Sequence, residues 1–225
     1  MTNTEIVEET IAFVKETLQG AEGGHDWFHI QRVFKTSLLI AKDEKNINIL
    51  VVSLGALLHD IADAKFHNGD ETVGPKLAHT FLNSIQVNAD VIAQVIQIIE
   101  NISFKKSLEK TTPNFNSIEL QVIQDADRLD AIGAIGIARA FNYGGFKNRA
   151  LYDPNIAPNL KMTKEEYKKS SAPTINHFYE KLLLLKDKMN TKTGKKLAVE
   201  RHQFMMNYLE QFYSEWNGIP LERNS

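Results

Sequence analysis

Apolar residues recur at helical spacing along nearly the whole chain. Ile6, Ile11, Val14 and Leu18 mark a first helix, and Gly20, Gly23 and Gly24 end it. Asp26 is placed to cap a second helix, which puts His29 in its first turn and runs on through Val33, Phe34, Ser37, Leu38 and Ala41. A third helix is expected over residues 48–61. Its stretch Ile49-Leu50-Val51-Val52-Ser53-Leu54-Gly55-Ala56-Leu57-Leu58 is apolar almost all round, so it belongs in the core. Residues 62–74, with Gly69 and Gly74, read as a loop, and helices follow over 77–85 and 91–99. The polar segment 101–117, with Pro113, is another loop. It leads into a helix over about 117–141 that carries Asp125, Asp127 and Asp130. Residues 142–173 hold Gly144, Gly145, Pro154, Pro158 and Pro173, the composition of a loop or lid. Within it, Thr163 and Glu166 fit a capping box, which predicts a short helix. Two helices over 174–190 and 195–214 close the chain, separated by Thr191-Lys192-Thr193-Gly194. The second is amphipathic, with Leu197, Phe204, Met205, Tyr208, Leu209 and Phe212 as core positions. No alternating strand pattern, repeat or linker appears. The expectation is one mostly helical domain over 1–225: a core over 20–140, the loop or lid, and a C-terminal helical extension.

Composition narrows the function classes. The 225 residues are 43% hydrophobic and 24% charged, with a formal net charge of −2, so no global basic field argues for nucleic-acid binding. There is no cysteine, which excludes thiolate metal sites and cysteine nucleophiles and leaves nitrogen and oxygen to hold any metal. No apolar run approaches the length of a membrane span, and the N-terminal residues do not resemble a signal peptide. A soluble cytoplasmic protein is expected.

The main chemical anomaly is His59-Asp60, set at the end of an apolar helix where an uncompensated carboxylate is costly. Helical geometry places His59 on one face with Val52 and Ala56, and Asp60 about 100° further round. His29 lies on a helix whose neighbours Val33 and Phe34 read as buried, and Asp127 lies in a helix flanked by apolar residues. Two imidazoles and two carboxylates suit Mn²⁺, Fe²⁺, Co²⁺, Ni²⁺ or Mg²⁺ better than a structural zinc. Each residue alone has a plainer reading: a hydrogen-bonded core histidine, or an aspartate paired with Arg128 or Arg139.

The strings Gly24-His25-Asp26-Trp27-Phe28-His29-Ile30-Gln31-Arg32-Val33, Ala56-Leu57-Leu58-His59-Asp60-Ile61-Ala62-Asp63-Ala64-Lys65 and Asp125-Ala126-Asp127-Arg128-Leu129-Asp130-Ala131-Ile132-Gly133 carry a resemblance. Their order is similar to the H…HD…D signature of the HD-domain phosphohydrolase superfamily, and their detail resembles its YedJ/YpgQ-like branch. The similarity spans roughly residues 20–214. It implies an all-α HD-domain helical bundle and one divalent ion on His29, His59, Asp60 and Asp127, manganese first among the metals named. The activity implied is cleavage of nucleoside or deoxynucleoside triphosphates to monophosphate and pyrophosphate. Two-metal members carry further histidines between the HD pair and the last aspartate. Here that segment has only His67 and His79, away from the usual positions, and Ile99-Glu100-Asn101-Ile102-Ser103 stands at the corresponding place. A single ion is implied. The Gly-Tyr-Pro motif of the cyclic dinucleotide phosphodiesterases is missing.

A divalent ion in such a pocket acidifies a bound water and polarises a phosphoryl oxygen, so hydroxide attacks phosphorus in line with the leaving group. Asp63, three residues after Asp60, is the candidate general base or water orienter; its plainer role is an ion pair with Lys65 or a helix cap. Lys65 and Arg32 are candidates for phosphate contacts, or surface charges. Asp26 could orient a ligating histidine or simply cap its helix. Arg128 and Asp130 flank Asp127 and serve either substrate or structure. Tyr143, in Asn142-Tyr143-Gly144-Gly145-Phe146, could stack on a base. Lys195 and Arg201 belong to the strongest basic cluster and could meet a polyphosphate tail, or form a solvated helix start. The sequence lacks the pattern of a Walker loop there. The expected partner is a small nucleotide or phosphate ester, with no nucleic acid and no membrane; monomer and homodimer stay open. The alternatives are a phosphomonoesterase or phosphodiesterase on another small ester, and a metal- and nucleotide-binding module without turnover.

Overall fold

Helix α3 (Ile49–Leu58) is the axis of the first half of the protein, because its sequence offers water almost nothing. Val51, Val52, Leu54, Ala56, Leu57 and Leu58 are fully buried. Each Val and Leu among them contributes about 1.5–3 kcal/mol of gross burial energy, and Ala56 less. Around it pack α1 (Asn3–Thr17), α2 (Trp27–Ala41) and α5 (Ala89–Asn101), while α4 (Val73–Ser84) packs on α5. The computed structural model describes residues 1–20, 26–62, 70–102, 115–163, 166 and 170–221. These fall into two compact units, Met1–Asp127 and Arg128–Ser225. Every regular element among the described residues is helical, which establishes the all-α class. None of these helices is long and apolar enough to cross a membrane.

In the first unit the expected Asp26 cap forms, and α1 and α3 carry caps that the sequence reading did not name. Thr2 and Glu5 form a capping box on α1. The Asp26 side chain accepts from the His29 N–H at 2.9 Å, and Asn48 caps α3 through the N–H groups of Leu50 and Val51. The helix expected over 48–61 stops at Leu58. There the His59 side chain donates to the Ala56 carbonyl at 2.9 Å, and Ile61 closes a turn onto Leu58. Helix α4 begins at Val73, four residues before the periodic pattern at 77.

The helix expected over 117–141 is two helices, α6 (Ile118–Asp130) and α7 (Gly133–Phe146). The break falls at Gly133, whose φ of +75° takes it out of the right-handed helix. Gly136 seals the corner: a Cβ there would lie 2.2 Å from the Ala131 carbonyl oxygen. The loop expected from 142 therefore starts only after Phe146. Inside it, the Thr163 hydroxyl accepts from the Glu166 N–H and the Glu166 carboxylate from the Thr163 N–H, the predicted capping box. The helix expected over 174–190 is a short α8 (Thr174–Glu180) followed by a 3₁₀ helix (Leu182–Lys188). Helix α9 (Lys192–Asn217) starts before 195, because Thr191 is its N-cap and accepts from the Gly194 N–H. The second unit is centred on α9, against which α7 and the 3₁₀ helix pack. Phe178, Met205 and Leu209 are buried within it.

Candidate metal centre

Three of the four expected donors converge. His29 stands in the first turn of α2, His59 caps the end of α3, and Asp127 lies in the last turns of α6. One ligand atom from each lies within 4.8 Å of the other two. His29 Nε2 is 3.6 Å and His59 Nε2 4.0 Å from the same Asp127 Oδ1. The imidazole rings meet edge to face, 5.5 Å between centroids.

These separations are too long for N–H···O hydrogen bonds. They fit a shared cation: with bonds of about 2.0–2.2 Å, two ligands of one ion sit roughly 3–4.4 Å apart. The tautomer of His59 agrees. Its Nδ1 faces a carbonyl, so Nδ1 carries the proton and Nε2 presents a lone pair to the cluster. Both histidines are buried, whereas the Asp127 side chain is 43% exposed, so the cluster has a wall and an open side. Two nitrogens and a carboxylate oxygen therefore suit a borderline divalent ion.

Asp60 follows His59 into the turn after α3 and is half-buried, and its carboxylate is not part of the three-donor group. Asp26 is bonded to the His29 backbone rather than to its ring. Arg32 is half-buried one turn beyond His29 on α2. His79 is exposed on α4 beside Asn83, away from any donor group among the described residues. Asp63, Lys65 and His67 lie outside the described residues.

The remaining candidates belong to the second unit, where several are engaged in structure. Arg128 donates to the Lys188 carbonyl at 2.7 Å. Asp130 is buried and accepts from Arg139 Nη1 at 2.5 Å. Arg201 donates to the Leu129 carbonyl, and burial pushes its guanidinium pKa down against the opposing pull of Asp130. Tyr143 is exposed, with Lys147 and Arg149 against its ring at 5.7 and 5.6 Å. Lys195 is exposed. The sequence reading missed the Asp130–Arg139 pair. An Asp and an Arg nine residues apart, on either side of an unforeseen helix break, leave no periodic signal.

The HD-domain family model matches residues 27–132, a span that takes in all three converging donors and Asp60. The chain is 36% identical over 217 residues to YpgQ of Bacillus subtilis, covering 96% of each. It is also similar to the crystal structure of an HD-superfamily hydrolase from Bacillus thuringiensis. That likeness has 42% identity and a TM-score of 0.77, over 96% of this chain and 99% of that one. The structure of Bacillus subtilis YpgQ in complex with ADP is 34% identical, with a TM-score of 0.72, over 96% of this chain and 97% of that one. With its donors in the family's order and its helices in the same arrangement, this chain belongs to the HD-domain family, among the HD-superfamily hydrolases.

Proposed function

We propose that the protein is a metal-dependent phosphohydrolase that cleaves nucleoside or deoxynucleoside triphosphates to the monophosphate and pyrophosphate. The observation that carries this reading is the convergence of His29, His59 and Asp127 on one point from three separate helices. His29, His59 and Asp127 would hold a divalent ion, Mn²⁺ first, which would supply a Lewis acid for a phosphoryl oxygen and lower the pKa of a water. Asp60, on the turn next to His59, would complete the donor set. The buried imidazoles exclude solvent from one side, and the exposed edge of Asp127 leaves the other open to a phosphate. Asp63 orients or deprotonates the attacking water, and Arg32 and Lys65 neutralise phosphate oxygens. The ADP bound by Bacillus subtilis YpgQ supports a nucleotide as the ligand class.

The test is a panel of ribo- and deoxyribonucleoside mono-, di- and triphosphates with Mn²⁺, Co²⁺, Ni²⁺ or Mg²⁺, scored for pyrophosphate and orthophosphate separately. Pyrophosphate in equal amount to nucleoside monophosphate is expected from triphosphates. Orthophosphate alone would transfer the protein to the phosphomonoesterases, and nucleotide binding without product would make it a binding module. Asp60→Ala is expected to lose metal and turnover, and Asp63→Ala to keep metal and lose rate.

A further inference from the structure

The segment Asn48–His59, which is α3 with its two caps, and helix α6 each deliver a donor to the centre, and they approach each other at three levels in the same order along both. At the first, Glu119 Oε1 accepts the Asn48 backbone N–H at 3.0 Å, beside the cap of α3. At the last, His59 and Asp127 approach to 4.0 Å. Between them stands Gly55. A Cβ at this position would lie 2.7 Å from Ile123 Cδ1 and 3.3 Å from Ile98 Cγ2. Ile98 and Ile123 are both fully buried, so room for an added carbon has to come from turning the Ile123 side chain or from moving α6. The backbone gives no reason for a glycine here. Gly55 lies in the interior of α3 and is not among the glycines with positive φ. Glycine in a helix interior is disfavoured, so its presence needs a packing reason.

Position supplies that reason. Gly55 precedes His59 by four residues and Ile123 precedes Asp127 by four, so this contact lies one helical turn before the donor pair, on the same two faces. We propose that Gly55 is a positioning residue for the metal centre: the notch it leaves in α3 receives Ile123 and sets how closely α6 brings Asp127 to His59. This rests on reading the three-donor cluster as a metal site.

The test compares the wild type with Gly55→Ala, Ile123→Val and the double variant. Mn²⁺ affinity is measured by calorimetry, Co²⁺ geometry by visible absorption, and metal-free stability by urea unfolding. Gly55→Ala is expected to weaken Mn²⁺ binding by about tenfold or more and to alter the Co²⁺ spectrum, the usual scale for losing support of a ligand. Ile123→Val deletes the clashing Cδ1 atom and is expected to recover most of that loss in the double variant. A folded Gly55→Ala protein that loses metal-free stability but binds Mn²⁺ like the wild type overturns the proposal, since packing alone would do that. If Gly55→Ala does not fold, the contact is loosened from the other side. Ile123→Ala with wild-type Mn²⁺ affinity then overturns the proposal, and weakened affinity with an altered Co²⁺ spectrum supports it. Wild-type protein that binds neither ion removes the metal reading itself, and the proposal with it, a result distinct from either.

Discussion

Asp130→Asn separates a structural from a substrate-binding role for a residue next to the centre in sequence. The Asp130 side chain is 4% exposed and its partner Arg139 28% exposed, 2.5 Å apart. Asparagine keeps the shape and one acceptor oxygen but removes the negative charge, so Arg139 retains a hydrogen bond from its cation to a neutral amide and loses the ion-pair attraction. Breaking a fully buried pair costs about 3–5 kcal/mol. Arg139 reaches solvent and can rehydrate, which reduces the expected loss to about 1–3 kcal/mol. Urea unfolding followed by circular dichroism measures it, with the denaturant slope checked for constancy. Arg139→Met in the same chain removes the stranded cation, so the double variant should regain part of the loss, with a coupling of about 1 kcal/mol or more. Wild-type stability in Asp130→Asn, together with a raised KM for nucleotide, would refute the structural reading and return the carboxylate to the substrate.

Three further outcomes follow from the geometry. Asp26→Ala removes the cap at the His29 amide and should cost about 1 kcal/mol, whereas Asp26→Ser should cost little; equal stabilities by urea unfolding would count against the cap. Burial first, then the charges of Lys181 and Arg149, push the His177 pKa down from 6.5 to about 4. The folded state thus resists protonation that the unfolded chain accepts. Its contribution is complete above about pH 6.5 and is lost as pH falls toward 4, by ~3 kcal/mol at most. His177→Phe should flatten the fall of unfolding free energy over that window, and an unchanged slope would contradict the assignment. Chelation should lower the unfolding temperature, and Mn²⁺ at a hundred times its dissociation constant should restore about 2.7 kcal/mol in the wild type but nothing in His29→Ala. Identical responses of the two proteins in calorimetry would place the ion elsewhere.

What was legible in the sequence is what local physics enforces. His29, His59 and Asp127 stood out as polar interruptions of apolar helices, and the structure gathers them. Asp26 and the Thr163–Glu166 pair were placed to satisfy helix-end amides, and they do. The break at Gly133 was hidden, because a glycine within a helical apolar period looks the same whether its φ is negative or +75°. Thr191–Gly194 resembled a separator because capping residues and turn residues are the same few types; only the Thr191–Gly194 bond decides between them. The Leu182–Lys188 segment fits an α period as well as a 3₁₀ one. The contact of Gly55 with Ile123 joins residues 68 positions apart in sequence, beyond the reach of any periodicity.

The chain's two tryptophans fall one to each unit. Trp27 opens α2 with the Lys15 ammonium over its ring at 4.9 Å, two residues before His29. Trp216, near the end of α9, lies against Tyr152 at 5.1 Å. Each indole is therefore a built-in optical reporter of one half of the molecule. Trp216→Phe leaves emission that tracks the donor-bearing half as an ion is titrated in, and Trp27→Phe leaves emission that follows melting of the C-terminal aromatic cluster alone.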